Sequence, residues 1–88
     1  MAIYTFKGKD IFKNGYGIIS KEVITSKKLT MGEKVLYAYF SILLSNGNIE
    51  LPSFEKIAKD LNINEKMAKE YFDNLVKNGY IEKTDKED

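Results

Sequence analysis

The chain contains no cysteine, no histidine, no arginine and no tryptophan, and Pro52 is its single proline. Each absence removes a class of chemistry. Without cysteine there is no disulfide, no thiolate nucleophile and no cysteine-ligated metal. Without histidine the commonest general base and the commonest zinc ligand are gone. Without arginine the planar fork that most often reads guanine is missing. Long apolar runs are also lacking. The longest, Val35–Leu44, is interrupted by Ser41. As a helix it would measure about 15 Å, half of what a bilayer core requires. Met1-Ala2-Ile3-Tyr4 opens on short polar-apolar alternation and not on a signal-peptide h-region. A cytoplasmic protein with no membrane association is expected.

Catalytic motifs fail on inspection. Gly8-Lys9-Asp10 lacks the preceding glycine and the following hydroxyl residue of a phosphate loop. Gly15-Tyr16-Gly17 follows a turn signal, so it is no dinucleotide fingerprint. Asp85 and Asp88 stand at an end expected to fray. No enzyme, cofactor or metal site is expected.

What is present is lysine, unevenly placed. Residues 1–34 hold seven lysines against Asp10, Glu22 and Glu33, a net of +4, whereas residues 35–88 hold seven lysines against ten acids, a net of −3. The overall charge is only +1. A polar molecule with one basic end follows, not a uniformly basic nucleic-acid coat. Abundant lysine, isoleucine and asparagine beside absent arginine also suggest an AT-rich coding genome, which tempers any reading of lysine number. With 43% hydrophobic residues in 88, one small domain is expected.

Local patterns predict the elements. Ile3-Tyr4-Thr5-Phe6 alternates like a half-buried strand. Ile11 to Ile19 reads as a hairpin turned by Asn14-Gly15. Ser20 can cap a helical turn from Lys21 to Thr25. Thr30-Met31-Gly32-Glu33 is a capping box opening a helix over residues 30–45. Ile49-Glu50-Leu51 reads as a short strand stopped by Pro52. Ser53 caps a helix whose Phe54, Ile57, Ala58 and Leu61 share one face. Asn62-Ile63-Asn64 is a turn with Ile63 as its plug. A helix from Glu65 carries the stripe Ala68, Tyr71, Phe72, Leu75 and Val76 and ends at Gly79. Residues 80–84 then read as a wing strand. Residues 1–28 form the N-terminal strands and leader, and residues 53–78 the helix-turn-helix.

These residues resemble a known family. Gly15-Tyr16-Gly17-Ile18-Ile19-Ser20-Lys21, Leu29-Thr30-Met31, Lys34-Val35-Leu36-Tyr37-Ala38-Tyr39, Leu51-Pro52-Ser53, Ile57-Ala58-Lys59-Asp60-Leu61-Asn62-Ile63 and Leu75-Val76-Lys77-Asn78-Gly79-Tyr80-Ile81 are similar to winged-helix domains of plasmid and phage replication-initiator and replisome-organiser proteins. The resemblance spans residues 15–82. It implies an α+β winged helix-turn-helix and work at the DNA of a mobile element.

The candidate DNA contacts fall into two groups. On the helix-turn-helix, Lys66 and Lys69 could meet bases or phosphates, and Ser53 and Lys56 a phosphate at the start of the middle helix. The alternative for the helix from Glu65 is a solvated face of i,i+4 pairs: Glu65 with Lys69, Lys66 with Glu70, Asp73 with Lys77. In the second group, Lys7, Lys9 and Lys13 on the N-terminal strands, Lys27 and Lys28 before the first long helix, and Lys83 and Lys86 on the wing could form one basic ridge. Such a ridge suits an AT-rich minor groove, and it is expected to contribute more affinity than the helix; ordinary solubilising lysines are the alternative.

Nine of the ten residues Val35–Leu44 are apolar or tyrosine. A helix apolar all round is expected to be covered all round; the N-terminal strands or a second copy could supply the cover, and a homodimer is favoured. The sequence thus reads as a dimeric double-stranded DNA-binding protein marking a replication or transfer origin or an operator. Two alternatives stay open: a protein-interaction module holding replication or transfer proteins, and a small transcriptional repressor.

Overall fold

The computed structural model describes residues 2–4, 15–45 and 50–82. Four helices follow in chain order: α1 (Lys21–Ile24), α2 (Met31–Ser45), α3 (Phe54–Leu61) and α4 (Glu65–Lys77). Each starts where a side chain supplies a missing acceptor. The hydroxyl of Ser20 accepts from the Val23 amide at 3.1 Å and that of Ser53 from the Lys56 amide at 3.2 Å. Asn64 accepts from the Met67 amide at 2.7 Å. At α2 the capping box closes both ways: the Thr30 amide donates to Glu33 Oε1 at 3.0 Å, and the Glu33 amide to Thr30 Oγ1 at 3.3 Å. Each such cap is worth about 1 kcal/mol.

The ends of α3 and α4 share one solution. Asn62 takes the left-handed conformation (φ 58°), and the Ile63 amide turns back to the Ala58 carbonyl at 3.0 Å. Gly79 does the same with φ 83°, the Gly79 amide reaching Val76 and the Tyr80 amide reaching Leu75 at 2.9 Å. This pattern satisfies carbonyls that the last helical turn leaves open.

α2 and α3 both pack against α4. Leu36, Ile57, Ala68 and Leu75 are buried at 0–1% exposure and form the centre. Burying one such aliphatic side chain stabilises by about 1.5–3 kcal/mol. Phe72 of α4 links the layers, meeting Phe40 of α2 edge-on at 5.9 Å and Phe54 of α3 at 5.5 Å. Gly32 of α2 lies against Tyr71 of α4; a Cβ there would stand 2.4 Å from the ring. Glu33 is buried at 4% exposure, and its second oxygen accepts from the Asn74 side chain at 2.8 Å. One carboxylate therefore both opens α2 and holds α4.

The expected α+β winged helix is not what forms. Among the described residues there is no strand, and the fold is all-α. The reasons are local. Tyr80 and Ile81, the start of the expected wing, both donate their amides to the Leu75 carbonyl, so the helix end uses the groups a ladder would need. Ile18, in the expected hairpin, donates its amide to Ser41 Oγ at 2.9 Å and accepts that hydroxyl's proton at its carbonyl. One serine of α2 thus replaces a strand partner. Ile3 and Tyr4 are 91% and 89% exposed and pair with no strand. Glu50 and Leu51 run into Pro52 without a ladder. The remaining parts of these expected strands, residues 5–14, 49 and 83–84, lie outside the described residues.

Among the described residues α2 is not covered on all sides, and residues 5–14, part of one of its two expected covers, lie outside them. Leu36 and Phe40 face the core, but Met31 is 81%, Val35 47% and Leu44 66% exposed.

Candidate nucleic-acid interface

α3, the turn 62–64 and α4 make a helix-turn-helix. Its sharp turn is set by Asn62, a residue that enters the left-handed region at low cost. Ile63 packs on the core beneath the turn. Because Ala68, Leu75 and Phe72 point inward, helical periodicity forces Glu65, Lys66, Lys69, Glu70, Asp73 and Lys77 outward, and all six are exposed.

The expected i,i+4 pairs along this face do not close. Among the described residues the single ion pair is Lys56–Asp60 in α3, at 3.2 Å. Lys69 instead turns toward α3, its ammonium 5.9 Å from the Phe54 ring centroid, a cation–π contact. Phe54, Glu65, Lys66 and Lys69 line one shallow depression. Ser53 stands next to Phe54 at the start of α3. The structure thereby brings Lys66 and Lys69 beside Phe54, the residue that follows the Ser53 cap. Helix N-termini present amides and positive potential, which favour anions. The Ser53 oxygen accepts the Lys56 amide, and its own proton stays available for a phosphate oxygen.

Lys56 is tethered. Its partner Asp60 also accepts from the Tyr39 hydroxyl at 2.7 Å, which joins α2 to α3. The Tyr39 hydrogen bond, followed by that from Lys56, holds the Asp60 carboxyl below the usual carboxylate range. Burial, reinforced by Asp60, pushes the Tyr39 hydroxyl up to about 12. The pair is exposed and adds little stability, but it fixes where the Lys56 ammonium sits.

Lys7, Lys9, Lys13, Lys83 and Lys86 lie outside the described residues. The wing strand meant to carry the last two does not begin at Tyr80–Glu82. Of the expected contacts, the structure therefore positions Lys27 and Lys28 before α2 and Ser53, Lys56, Lys66 and Lys69 on the helix-turn-helix. Sequence reasoning missed the Tyr39–Asp60 and Glu33–Asn74 bonds and the Phe54 ring beneath Lys69. Only the i,i+4 spacing of Lys56 and Asp60 was a readable signal; the other three are contacts between helices. A second, largely apolar groove, lined by Ile18, Tyr37, Phe40, Leu44, Leu51 and Ile81 among others, offers no catalytic arrangement. Among the described residues no cluster of acids could hold a metal, and no helix is long and apolar enough to cross a membrane.

A family model described as a helix-turn-helix domain matches residues 27–81, from the approach to α2 through the cap of α4. This is well over half of the chain, and the chain belongs to that family. It is a helix-turn-helix DNA-binding domain, a class in which the second helix of the pair enters the major groove. No curated protein and no solved structure matches the chain.

Proposed function

We propose that the protein binds double-stranded DNA as a homodimer, with the first half of α4 in the major groove and the start of α3 on a phosphate, and that it marks a site on a mobile element. The observation that carries this reading is the pair of lysines without ion pairs on the first half of α4, among the described residues. Lys66 and Lys69 are exposed and carry no ion pair among the described residues, and they line one depression with Phe54, the first residue of α3. Lysine binds phosphate as a point charge and needs no fixed geometry. The dimer is supported by the apolar surface that α2 leaves open at Met31 and Val35. A symmetric dimer would place two α4 helices on successive half-sites about one DNA turn apart. Replication origin, transfer origin and operator all fit such a marker. The similarity of Gly15–Lys21 and Leu75–Ile81 to replication-initiator domains favours the first.

The second reading is a protein-interaction module. The balanced charge of the α4 face, three lysines against three acids, favours it. Duplex binding measured across a salt series separates the two. Each phosphate contact lowers log K by about 0.9 per decade of salt. The DNA reading expects a slope of at least two contacts per chain; a flat response, or no binding at low salt, would leave the partner reading. Sedimentation at micromolar concentration tests the dimer: a species of twice the 10.1 kDa chain supports it, and a monomer removes it.

A further inference from the structure

We infer that α4 selects G·C base pairs at the core of its half-site, with Lys66 or Lys69 on guanine and Glu70 on the N4 amino group of cytosine. The inference rests on the docking proposed above and goes beyond it to the base read. The outward face of α4 is built from Glu65, Lys66, Lys69, Glu70, Asp73 and Lys77. Apart from Asn74, the exposed side chains of α4 are all cationic donors or anionic acceptors. Adenine is best read by an amide side chain, which donates to N7 and accepts from N6 together. The one asparagine within α4, Asn74, has its side-chain amide committed to Glu33 at 2.8 Å. Thymine is read by an apolar contact to its methyl group, and Met67, the nearest apolar candidate, is half-buried.

Lysine is suited to the O6 and N7 acceptors of guanine, and a carboxylate to the donor at cytosine N4. Glu70 is exposed, and no ion pair among the described residues neutralises it. A free carboxylate in the groove is repelled by phosphate unless a base donor meets it, so it also penalises sites lacking that donor. The spacing is compatible. Lys66 and Glu70 are four residues apart, about 6 Å along the helix. Adjacent base pairs are about 3.4 Å apart, so the two side chains address positions about two steps apart. The expectation of AT-rich DNA came from the basic ridge, not from this helix.

The test is selection from a random duplex pool at low salt, with the wild-type chain and Glu70→Gln side by side. G·C pairs enriched at the wild-type core are expected. In Glu70→Gln, one C·G position should change to A·T, because glutamine pairs with adenine, with a preference change of about tenfold or more. A/T-only cores, salt-sensitive retention without base preference, or a base preference unchanged in Glu70→Gln would overturn this inference and leave DNA binding standing. No retention of any duplex by the wild-type chain would overturn both.

Discussion

Single side chains in this protein serve two helices at once, and Tyr39 is the one with a pH signature. Its hydroxyl donates to Asp60, and its ionisation is pushed up to about 12 from an ordinary 10.0. The unfolded chain therefore loses this proton first as pH rises. The stabilisation is complete below pH 10 and is lost between about 10 and 12. Urea unfolding at pH 9 and pH 11 should show wild type losing more stability over that interval than Tyr39→Phe. Equal losses would mean that the hydrogen bond does not persist in solution. Asp60 works in the opposite sense: its carboxyl is depressed, so its contribution is present above the ordinary carboxylate range and fades as acid protonates it. The Tyr39–Asp60 bond was not legible in the sequence, because the two residues are 21 apart and belong to different helices. The caps were legible, because Ser20, Thr30, Ser53 and Asn64 act within three residues of themselves.

At the level of elements, the aim of α4 depends on how closely it approaches α2. Gly32 makes that approach possible, since any Cβ would strike the Tyr71 ring at 2.4–2.7 Å. Gly32→Ala should destabilise by about 1–3 kcal/mol through overpacking, despite alanine's better helix propensity. Chemical denaturation reads the difference; a stabilised variant would show that the two helices can separate without cost. The helical pattern made α2, α3 and α4 visible beforehand, because the 3.6-residue stripe of Phe54, Ile57, Ala58 and Leu61 and that of Ala68, Phe72 and Leu75 have no rival reading. The strands misled for a physical reason. Alternation shows that a segment can pair, but pairing needs a free partner, and the amides of Ile18, Tyr80 and Ile81 are already bound to Ser41 and Leu75.

For the whole molecule, the question is which surface meets DNA. A basic ridge from the wing and N-terminal hairpin was the sequence expectation. With no wing strand at Tyr80–Glu82, the candidate surface is the first half of α4, where Lys66 and Lys69 stand beside Phe54. The sequence supplied both lysines but not their surroundings, since Phe54 reaches Lys69 only across the turn at Asn62. The most direct measurement is duplex-DNA affinity of the Lys66→Glu, Lys69→Glu double variant against wild type, with circular dichroism confirming retained helix. Both positions are exposed, so the fold should survive. Binding through α4 predicts a loss of at least about tenfold at near-physiological salt, as two phosphate-neutralising charges become repulsive. An affinity equal to wild type in a folded variant would contradict the account and place the DNA-binding surface elsewhere on the chain.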